Sequence, residues 1–369
     1  MNILELCLSS SLGGLEIYVF HASNALKNKH HVFTALLENS KLDNYYQTNS
    51  NISRHFFKRS KNPIPLINAK KLATFIDNKN IDLIHIHLGK DLPLAAFAKF
   101  LSKRKPRLVY TRHMMITRSK NDFYHNFIYR QIDLIITISK QLETLVKSFI
   151  PLCKDKTTTL YTGVKEPEQF LDKTNIKQQR EYSGFADTDF IVGLIGRLEE
   201  NKGQHLLIEA IHLAKKNKHE IKAFIVGHEM TQGYREQLSE QARTLGISKN
   251  IKFHDFTNQP QQLMQLCDCV VLATSRETFG LVLPEAMRAG VAVIGSNSGG
   301  VPEIINHKKT GLLFETNNAQ SLYLQIQTLL LNPDFKHQLA LQGKETADQR
   351  FNHTRHFNQL EQLLESITC

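Results

Sequence analysis

Residues 190–226, FIVGLIGRLEENKGQHLLIEAIHLAKKNKHEIKAFIV, predict a β-strand, an α-helix and a second β-strand. An apolar run at 190–195 ends at Gly196, apolar residues recur at helical spacing over 205–217, and a second apolar run follows at 221–226. Short apolar runs joined by an amphipathic helix are typical of parallel strands with a helical crossover. This unit decides the fold class, because the same alternation continues on both sides of it.

The whole chain repeats this alternation. Polar residues dominate 165–188, which also contains Pro167, and we predict an inter-domain linker there. We therefore expect an α/β protein of two Rossmann-like, doubly wound domains that face each other across a cleft, with ligands beyond the carboxyl ends of the strands. The other predicted strands are 1–9, 31–37, 81–87, 107–111, 133–139, 251–253, 269–273 and 291–295, with 160–164 closing the first half; the other predicted helices are 13–28, 234–245, 260–266 and 281–289.

Composition excludes several protein classes. A chain of 369 residues suits two domains. It has no run of 18 apolar residues, and its start lacks the basic region of a signal peptide. Five cysteines without paired CxxC spacing indicate reduced thiols in a cytoplasmic protein. Cys267 and Cys269 lead into an apolar run, so we predict buried structural residues rather than metal ligands.

Positive charge is concentrated in the first half. Residues 1–165 carry 25 Lys and Arg against 11 Asp and Glu, whereas 166–369 carry 21 against 24. The excess favours either an anionic partner or a solvated basic surface. For an anionic membrane, the candidate contacts are 55–61 and 103–107, where cations flank apolar residues. Nucleic acid is not expected, because basic and aromatic residues do not interleave.

Two polar turns of the second half carry the strongest site signals. Arg197 and Lys202 follow one strand and could together bind a diphosphate, although two solvated cations would look the same. The stretch 277–285, ETFGLVLPE, is a turn leading into a short helix, with a carboxylate at each end. A glycosidase acid/base pair would face each other across the scissile bond, so holding ligand hydroxyls is the favoured interpretation.

The first half offers weaker signals at its own strand ends. Gly13 and Gly14 could admit an anion at a helix start, or simply form a tight turn. The dinucleotide fingerprint G-x-G-x-x-G is absent there, which argues against an NAD or FAD enzyme. His113 follows a strand and could hydrogen-bond a ligand or lie on the surface. His85 and His87 share one strand face, where hydrogen bonding is favoured because no third metal ligand is apparent.

These motifs resemble the family-4 glycosyltransferases with the GT-B fold. The resemblance implies an acceptor-binding domain over 1–165, a donor-binding domain over 166–345, and a C-terminal segment over 346–369 whose helix crosses back to the first domain. In the second half it rests on 196–198, 201–203, 224–227, 234–238, 269–275, 277–285, 298–305 and 310–314, and in the first half, more weakly, on 13–14, 81–87, His113 and 133–139.

The resemblance also implies roles for single residues. Arg197 and Lys202 would hold the donor diphosphate, Glu277 the hydroxyls of the transferred sugar and Glu285 the ribose, with the backbone of Phe279, Gly280 and Leu281 beside them. Gly14 would lie under the phosphates, Gly13 would also belong to the donor-binding set, and His113 would touch the sugar. His113, Glu277, Arg197 and Lys202 would form the catalytic set, with no metal and no cofactor. Residues 162–165 and 228–230 depart from the common family pattern, which leaves the donor base open.

The implied function is retaining transfer of a hexose-type sugar from a nucleotide diphosphate-sugar to a glycan or glycolipid acceptor. The pathway would be synthesis of lipopolysaccharide or another surface polysaccharide, and the protein would be a monomer or weak dimer. It would be cytoplasmic, with or without peripheral attachment to the inner face of the plasma membrane. The alternatives are a GT-B nucleotide-sugar epimerase, which needs additional acid/base groups, and a non-catalytic nucleotide-sugar-binding protein.

Overall fold

The chain forms two compact units in the computed structural model. Unit 1 consists of residues 1–161 together with the chain from Thr354 onward, and unit 2 consists of residues 162–353. The structure describes residues 1–60 and 62–368, so Lys61 of the candidate membrane segment and Cys369 lie outside the described residues. No helix in those ranges has both the length and the apolar character needed to cross a bilayer.

Unit 1 is built on a seven-stranded sheet in which every pairing is parallel, with the strand order β3-β2-β1-β4-β5-β6-β7. The order reverses between β1 and β4, as in doubly wound folds. Its strands are β1 (Asn2–Cys7), β2 (His31–Leu36), β3 (Ser53–Phe56), β4 (Leu83–Ile86), β5 (Arg107–Arg112), β6 (Leu134–Thr137) and β7 (Thr157–Thr159); its first helices are α1 (Gly14–Leu26), α2 (Lys41–Asn49), α3 (Leu66–Asn78), α4 (Leu92–Leu101), α5 (Phe123–Arg130) and α6 (Lys140–Phe149).

Unit 2 has a six-stranded parallel sheet in the order β10-β9-β8-β11-β12-β13, which reverses between β8 and β11. The predicted strands 190–195 and 221–226 are confirmed at both ends as β8 and β9. The elements are α7 (Lys173–Tyr182), β8 (Phe190–Ile195), α8 (Gln204–Lys216), β9 (Ile221–Val226), α9 (Tyr234–Thr244), β10 (Ile251–His254), α10 (Pro260–Met264), β11 (Cys269–Leu272), α11 (Val282–Arg288), β12 (Ala292–Ser296), α12 (Val301–Ile304), β13 (Leu312–Phe314), α13 (Ala319–Leu331) and α14 (Pro333–Arg350).

The last helix, α15 (His353–Ser366), returns to unit 1, which confirms the predicted crossing. Its buried side chains Phe357, Leu360 and Leu364 join the apolar core formed by β1, β2, α1 and α2. The Lys29 ammonium also lies 2.7 Å from the Glu361 carboxylate on this helix. The apolar contacts carry most of the attachment, because the lysine is exposed and such ion pairs contribute little.

Buried strands explain why the apolar runs predicted the sheets well. A parallel strand covered on both faces needs apolar side chains at consecutive positions. Cys267 and Cys269 are buried at the start of β11, as predicted. The Asp268 carboxylate between them pairs with Arg180 at 3.1 Å and Lys336 at 2.5 Å, so it serves as an anchor for two cations.

The predicted linker 165–188 is partly wrong, because it contains α7. No residue of α7 is buried, so the sequence shows no apolar stripe at helical spacing. The helix is attached through Arg180, which donates a 2.9 Å hydrogen bond to the Leu266 carbonyl in addition to its pair with Asp268. Three strands, β3, β7 and β13, were not predicted, and 160–164 is not a strand.

Truncation of Leu360 tests the attachment of α15. Leu360 is fully buried, so Leu360→Ala should lower the free energy of unfolding by about 2–5 kcal/mol. Leu101→Ala is the matched control, because Leu101 is exposed in the same unit and should change this energy by less than about 0.5 kcal/mol. Urea denaturation followed by circular dichroism measures both, and equal losses would contradict the assignment of α15 to the core.

Candidate active site

Two polar turns lie side by side at the carboxyl edge of the unit 2 sheet. One follows β8 and spans 196–203; the other follows β11 and spans 273–281. Strands β8 and β11 are paired in the sheet, and the strand order reverses between them. In doubly wound folds such a reversal opens a crevice at the carboxyl ends, which is the usual ligand site.

Lys202 and Glu277 form an ion pair across these turns, with 2.9 Å between Nζ and Oε2. Both side chains are mostly buried. The close approach of the two turns depends on Gly203. Its φ of +74° favours glycine, and a Cβ at this position would lie 2.4 Å from the Ala273 carbonyl oxygen. Two residues predicted separately for one site are therefore in direct contact.

The turn that carries Glu277 is held by the loop after β12. The Gly300 amide donates a 3.1 Å hydrogen bond to the Glu277 carbonyl, and the Ser298 hydroxyl donates a 2.8 Å hydrogen bond to the Ser275 carbonyl. Gly299 has φ +62°, and a Cβ there would lie 1.9 Å from the Glu277 carbonyl oxygen. The supporting residues of this loop were not among the predicted site residues. The adjacent glycines in 298–305 are the sequence signal that could have indicated a close backbone approach.

Phe279, Gly280 and Leu281 connect Glu277 to α11. The Phe279 side chain is buried, with its ring centroid 5.7 Å from that of Phe351 in an edge-on contact. Gly280 has φ +97°. Leu281 is the N-cap residue of α11. The Phe279 side chain therefore points into the unit 2 core and anchors the turn, and any ligand contact here is left to the backbone.

Glu285 lies in the first turn of α11 and is largely buried. Its carboxylate has no hydrogen bond or ion pair to any residue in 1–60 or 62–368. Burial raises the pKa of Glu285 to about 7. An unpaired carboxyl group of this kind can accept hydrogen bonds from the hydroxyls of a ligand.

Arg197 occupies a different position from Lys202, although both lie in the turn after β8. Its guanidinium is half exposed and pairs with Glu199 at 3.0 Å. Its carbonyl accepts a 2.8 Å hydrogen bond from the Gln204 side chain, which fixes the backbone but leaves the side chain at the surface. The structure therefore brings Lys202, but not Arg197, into contact with Glu277. The Glu199 partner was not predicted.

In unit 1, Gly13 caps α1 and Gly14 begins it, directly after β1. The Glu16 carboxylate is buried at this helix start and accepts a 2.5 Å hydrogen bond from the Ser9 hydroxyl. A Cβ at Gly13 would lie 3.3 Å from Glu16 Oε2. The positive end of the helix dipole therefore already has a carboxylate beside it, which the sequence interpretation of an open anion site missed.

His113 follows β5 and is half-buried rather than free on the surface. Its Nε2 lies 3.4 Å from His87 Nδ1, and its ring packs edge-on against Tyr18, with 4.7 Å between centroids. Burial, and then the nearby His87 and His85, hold the pKa of His113 well below its usual range. His113 is therefore neutral at physiological pH.

Glu5 is the third polar residue beside His85 and His87, and the sequence did not reveal it. Its Oε1 lies 2.9 Å from His85 Nδ1 and its Oε2 lies 2.7 Å from His87 Nε2, and all three side chains are fully buried. Although these groups are close enough to be considered as metal ligands, the ligand atoms of a tetrahedral zinc ion lie about 3.3 Å apart. Distances of 2.7 and 2.9 Å fit hydrogen bonds, which favours the predicted hydrogen-bonding role.

Sequence comparison assigns the chain to a family. The family model described as Glycosyltransferase Family 4 matches residues 12–166, and the model described as Glycosyl transferases group 1 matches residues 175–346. The two matches are separated only by residues 167–174 and together cover most of the chain. The chain is a family-4 glycosyltransferase. Its two parallel-sheet domains are those of the GT-B fold.

Several known proteins resemble this glycosyltransferase over most of their length. N-acetyl-alpha-D-glucosaminyl L-malate synthase of Bacillus anthracis is 26% identical, covering 82% of this chain and 79% of that protein. N-acetylgalactosamine-N,N'-diacetylbacillosaminyl-diphospho-undecaprenol 4-alpha-N-acetylgalactosaminyltransferase of Campylobacter jejuni is 27% identical, covering 74% and 75%. The crystal structure of HepE of Anabaena in complex with UDP superposes with a TM-score of 0.88 at 25% identity, covering 99% and 100%. A HepE complex with UDP-glucose gives 0.85 at 26% identity, with the same coverage.

The burial of Glu285 in this glycosyltransferase leads to a prediction for stability. The folded-state pKa of about 7 exceeds the ordinary 4.5, so the wild-type protein loses stability as pH rises from about 4.5 through 7. Glu285→Gln removes this titration, and it should raise the melting temperature at pH 8 but not at pH 4.5. Since one pKa unit corresponds to about 1.4 kcal/mol, the gain is at most about 3 kcal/mol.

Differential scanning fluorimetry across this pH range measures the effect of Glu285→Gln. Glu303→Gln serves as a control, because this carboxyl group lies in the neighbouring α12 and would leave the desolvation of Glu285 unchanged. A stabilisation by Glu285→Gln that does not depend on pH would contradict the assigned pKa.

Proposed function

We propose that this glycosyltransferase is a retaining, metal-independent enzyme that moves a hexose-type sugar from a uridine diphosphate-sugar to a glycan or glycolipid acceptor. The HepE complexes with UDP and UDP-glucose support the donor class. The acceptor named for the Campylobacter relative, a diphospho-undecaprenol-linked sugar, supports a lipid-linked glycan. Such a substrate suits synthesis of surface polysaccharide, including lipopolysaccharide, in the cytoplasm or at the inner face of the plasma membrane.

The ion pair between Lys202 and Glu277 carries this proposal. An ammonium group has three N–H donors, and Glu277 takes one of them. The other two can bind oxygens of the donor diphosphate, while the second carboxylate oxygen of Glu277 can accept from a sugar hydroxyl. One charged pair would thus bind both sides of the sugar–phosphate bond that breaks.

The surrounding groups complete the proposed donor site. Glu285, with no partner in the described structure, would accept the ribose hydroxyls. The backbone of Phe279, Gly280 and Leu281 would lie against the sugar and phosphates. Arg197, whose guanidinium is half exposed and pairs with Glu199, would add a second cation to the diphosphate.

The proposed roles in unit 1 are acceptor binding and a few contacts with the donor. We propose that residues 1–165 bind the acceptor, residues 166–345 bind the donor, and the helix of 346–369, α15, packs on the acceptor domain. Gly13 and Gly14 would permit close approach of the diphosphate to the backbone, beside Glu16. His113 would contact a hydroxyl of the transferred sugar.

The proposed reaction needs no protein base. The bond between the anomeric carbon and the diphosphate oxygen breaks, and the acceptor hydroxyl oxygen bonds to the same face of that carbon. The hydroxyl proton moves to an oxygen of the departing diphosphate. Lys202 and Arg197 would stabilise the negative charge that develops there, which is the main catalytic contribution expected of a preorganised polar site.

Substitution of the ion pair tests the proposal directly. In the presence of EDTA, the wild-type protein should release UDP from one member of a UDP-sugar panel when an acceptor extract is present. Lys202→Ala and Glu277→Ala should each lower kcat/KM by about a hundredfold or more, since each removes a charged contact to the transition state. Product analysis by proton NMR should show the anomeric configuration of the donor.

Arg243→Ala is the matched control, because Arg243 forms an exposed pair with Glu240 on α9. Its activity should equal that of the wild type. Full turnover by both site variants would refute the donor site. Conversion of the UDP-sugar to an epimer without transfer would instead identify an epimerase.

We further propose that unit 1 contacts an anionic membrane surface. Of the basic segments predicted for this contact, Arg59 pairs with buried Asp91, Arg104 with Asp82 and Arg107 with Asp133, so those cations are already engaged. Exposed apolar side chains lie nearby: one in the loop after β3, one in the first turn of α3 and one at the start of α5. They are Ile64, Ile67 and Phe123, which are 52%, 76% and 92% exposed.

The loop after β3 and the start of α5 are joined, because the Tyr124 hydroxyl donates a 2.6 Å hydrogen bond to the Pro63 carbonyl. Apolar side chains among lysines and arginines are suited to the headgroup region of an anionic bilayer. We therefore expect the protein to pellet with vesicles containing phosphatidylglycerol at low salt, less at high salt, and not with neutral vesicles. Ile67→Ser combined with Phe123→Ser should reduce pelleting, and Phe170→Ser, at an exposed position in unit 2, should not. Absence of pelleting at low salt would contradict membrane contact.

A further inference from the structure

We infer that Glu5 is a positioning residue that determines which nitrogen of His113 carries the proton. Acting through His87, it leaves Nδ1 of His113 unprotonated, so that this atom accepts a hydrogen bond from a ligand hydroxyl. The catalytic consequence rests on the proposed contact of His113 with the sugar, whereas the proton arrangement is a property of unit 1 alone.

Glu5 is the first member of the chain of hydrogen bonds. Burial by itself would raise its pKa, but the charge of His85 and the hydrogen bonds with His85 and His87 lower the pKa of Glu5 to about 2. An ionised carboxylate can only accept hydrogen bonds. His85 Nδ1, at 2.9 Å, and His87 Nε2, at 2.7 Å, must therefore each carry a proton and donate it.

His87 connects Glu5 to His113, because its own proton position is fixed by Glu5. Burial, and then the neighbouring His85, lower the pKa of His87 to about 4, so its ring is neutral and has one proton. That proton lies on Nε2, facing Glu5. Nδ1 of His87 consequently has a lone pair, and it lies 3.4 Å from Nε2 of His113.

His113 completes the chain. A lone pair on His113 Nε2 would face the lone pair of His87, so Nε2 must carry the proton and donate it. Because His113 is neutral, its Nδ1 then has the free lone pair. Nδ1 has no hydrogen-bond partner among the residues the structure describes. The branch from Glu5 through His87 therefore ends in an acceptor atom at the carboxyl edge of the sheet.

The His113 ring is also fixed in orientation. Tyr18 packs edge-on against it, and the Tyr18 hydroxyl lies 3.0 Å from Nε2 of His356 on α15. His356 in turn donates its Nδ1 proton to the Tyr161 carbonyl at 2.8 Å. The other branch from Glu5 runs through His85 to the Thr111 hydroxyl, 2.7 Å from His85 Nε2, and does not reach His113.

Nitrogen-15 NMR of the histidine side chains in the intact protein tests the proton arrangement. The signals of His113 are assigned by their loss in His113→Gln. We expect the wild-type spectrum to show a protonated Nε2 and an unprotonated Nδ1 for His113. A protonated Nδ1, or a doubly protonated ring at neutral pH, would overturn the inference without any variant of Glu5.

Substitution of Glu5 tests its part in setting the proton. Glu5→Gln keeps the shape but cannot accept from both histidines, so His87 loses its fixed proton and both forms of His113 should be populated. Because only part of the population then offers the acceptor atom of His113 to the sugar, kcat/KM should fall about two- to tenfold. Glu5→Asp, which retains a carboxylate, should keep more of the wild-type form. An unchanged His113 spectrum in Glu5→Gln would overturn the role of Glu5.

Thr111→Val is the matched control, since it removes the hydroxyl at the end of the His85 branch but leaves Glu5, His87 and their hydrogen bond in place, so the His113 nitrogens should keep their protonation. Failure of the proposed function is distinguishable from failure of this inference. If the wild-type spectrum shows the expected form but His113→Gln retains full activity, the proton arrangement stands and the proposed sugar contact of His113 is wrong.

Discussion

The reversal of strand order between β8 and β11 is the constraint on which the unit 2 site depends. Parallel pairing places the carboxyl ends of these two strands next to each other, with Cys269 opposite Val192. The chain segments that follow must then share one narrow space. Gly203 permits this on the β8 side and Gly299 supports it from the loop after β12, because a side chain at either position would collide with backbone. The contact between Lys202 and Glu277 follows from sheet topology rather than from local sequence.

The two glutamates of this site differ in their electrostatic environment, and the difference favours ligand binding. Glu277 has its cation, whereas Glu285 is buried without one, which disfavours its charged form. A residue that destabilises the folded protein at neutral pH but can be relieved by ligand hydroxyls is typical of a binding site. Pairing of charges also explains why the large positive charge of the first half does not by itself locate a binding site. Arg104 and Arg107 each have a carboxylate partner.

Sequence patterns predicted the fold where burial is continuous and failed where attachment is polar. The strands at 190–195 and 221–226 were found because both faces of each strand are covered. Helix α7 was missed because its anchor is the single guanidinium of Arg180. In the site, Lys202 and Glu277 stood out in turns after strands. Glu5 did not, because its histidine partners become its neighbours only when β1 and β4 pair in register, with Glu5 opposite His85. Glu16 did not, because its contact with the Ser9 hydroxyl forms only when the turn between β1 and α1 has folded.

Glu5 shows what such a hidden residue contributes. Isolated burial of a carboxylate is highly unfavourable, so a fold retains one only when hydrogen bonds satisfy it. Here both carboxylate oxygens accept hydrogen bonds from His85 and His87. These hydrogen bonds stabilise the buried charge and also fix which nitrogen of each histidine donates its proton. Apolar residues could fill the same space between β1 and β4, but they would leave the ring nitrogens of His85 and His87 without partners. Unit 1 therefore maintains a buried charge that fixes the position of the proton on His113, at the edge of the sheet. A neutral ring with one defined acceptor atom is more selective for hydroxyl groups than a ring whose proton can move between its two nitrogens.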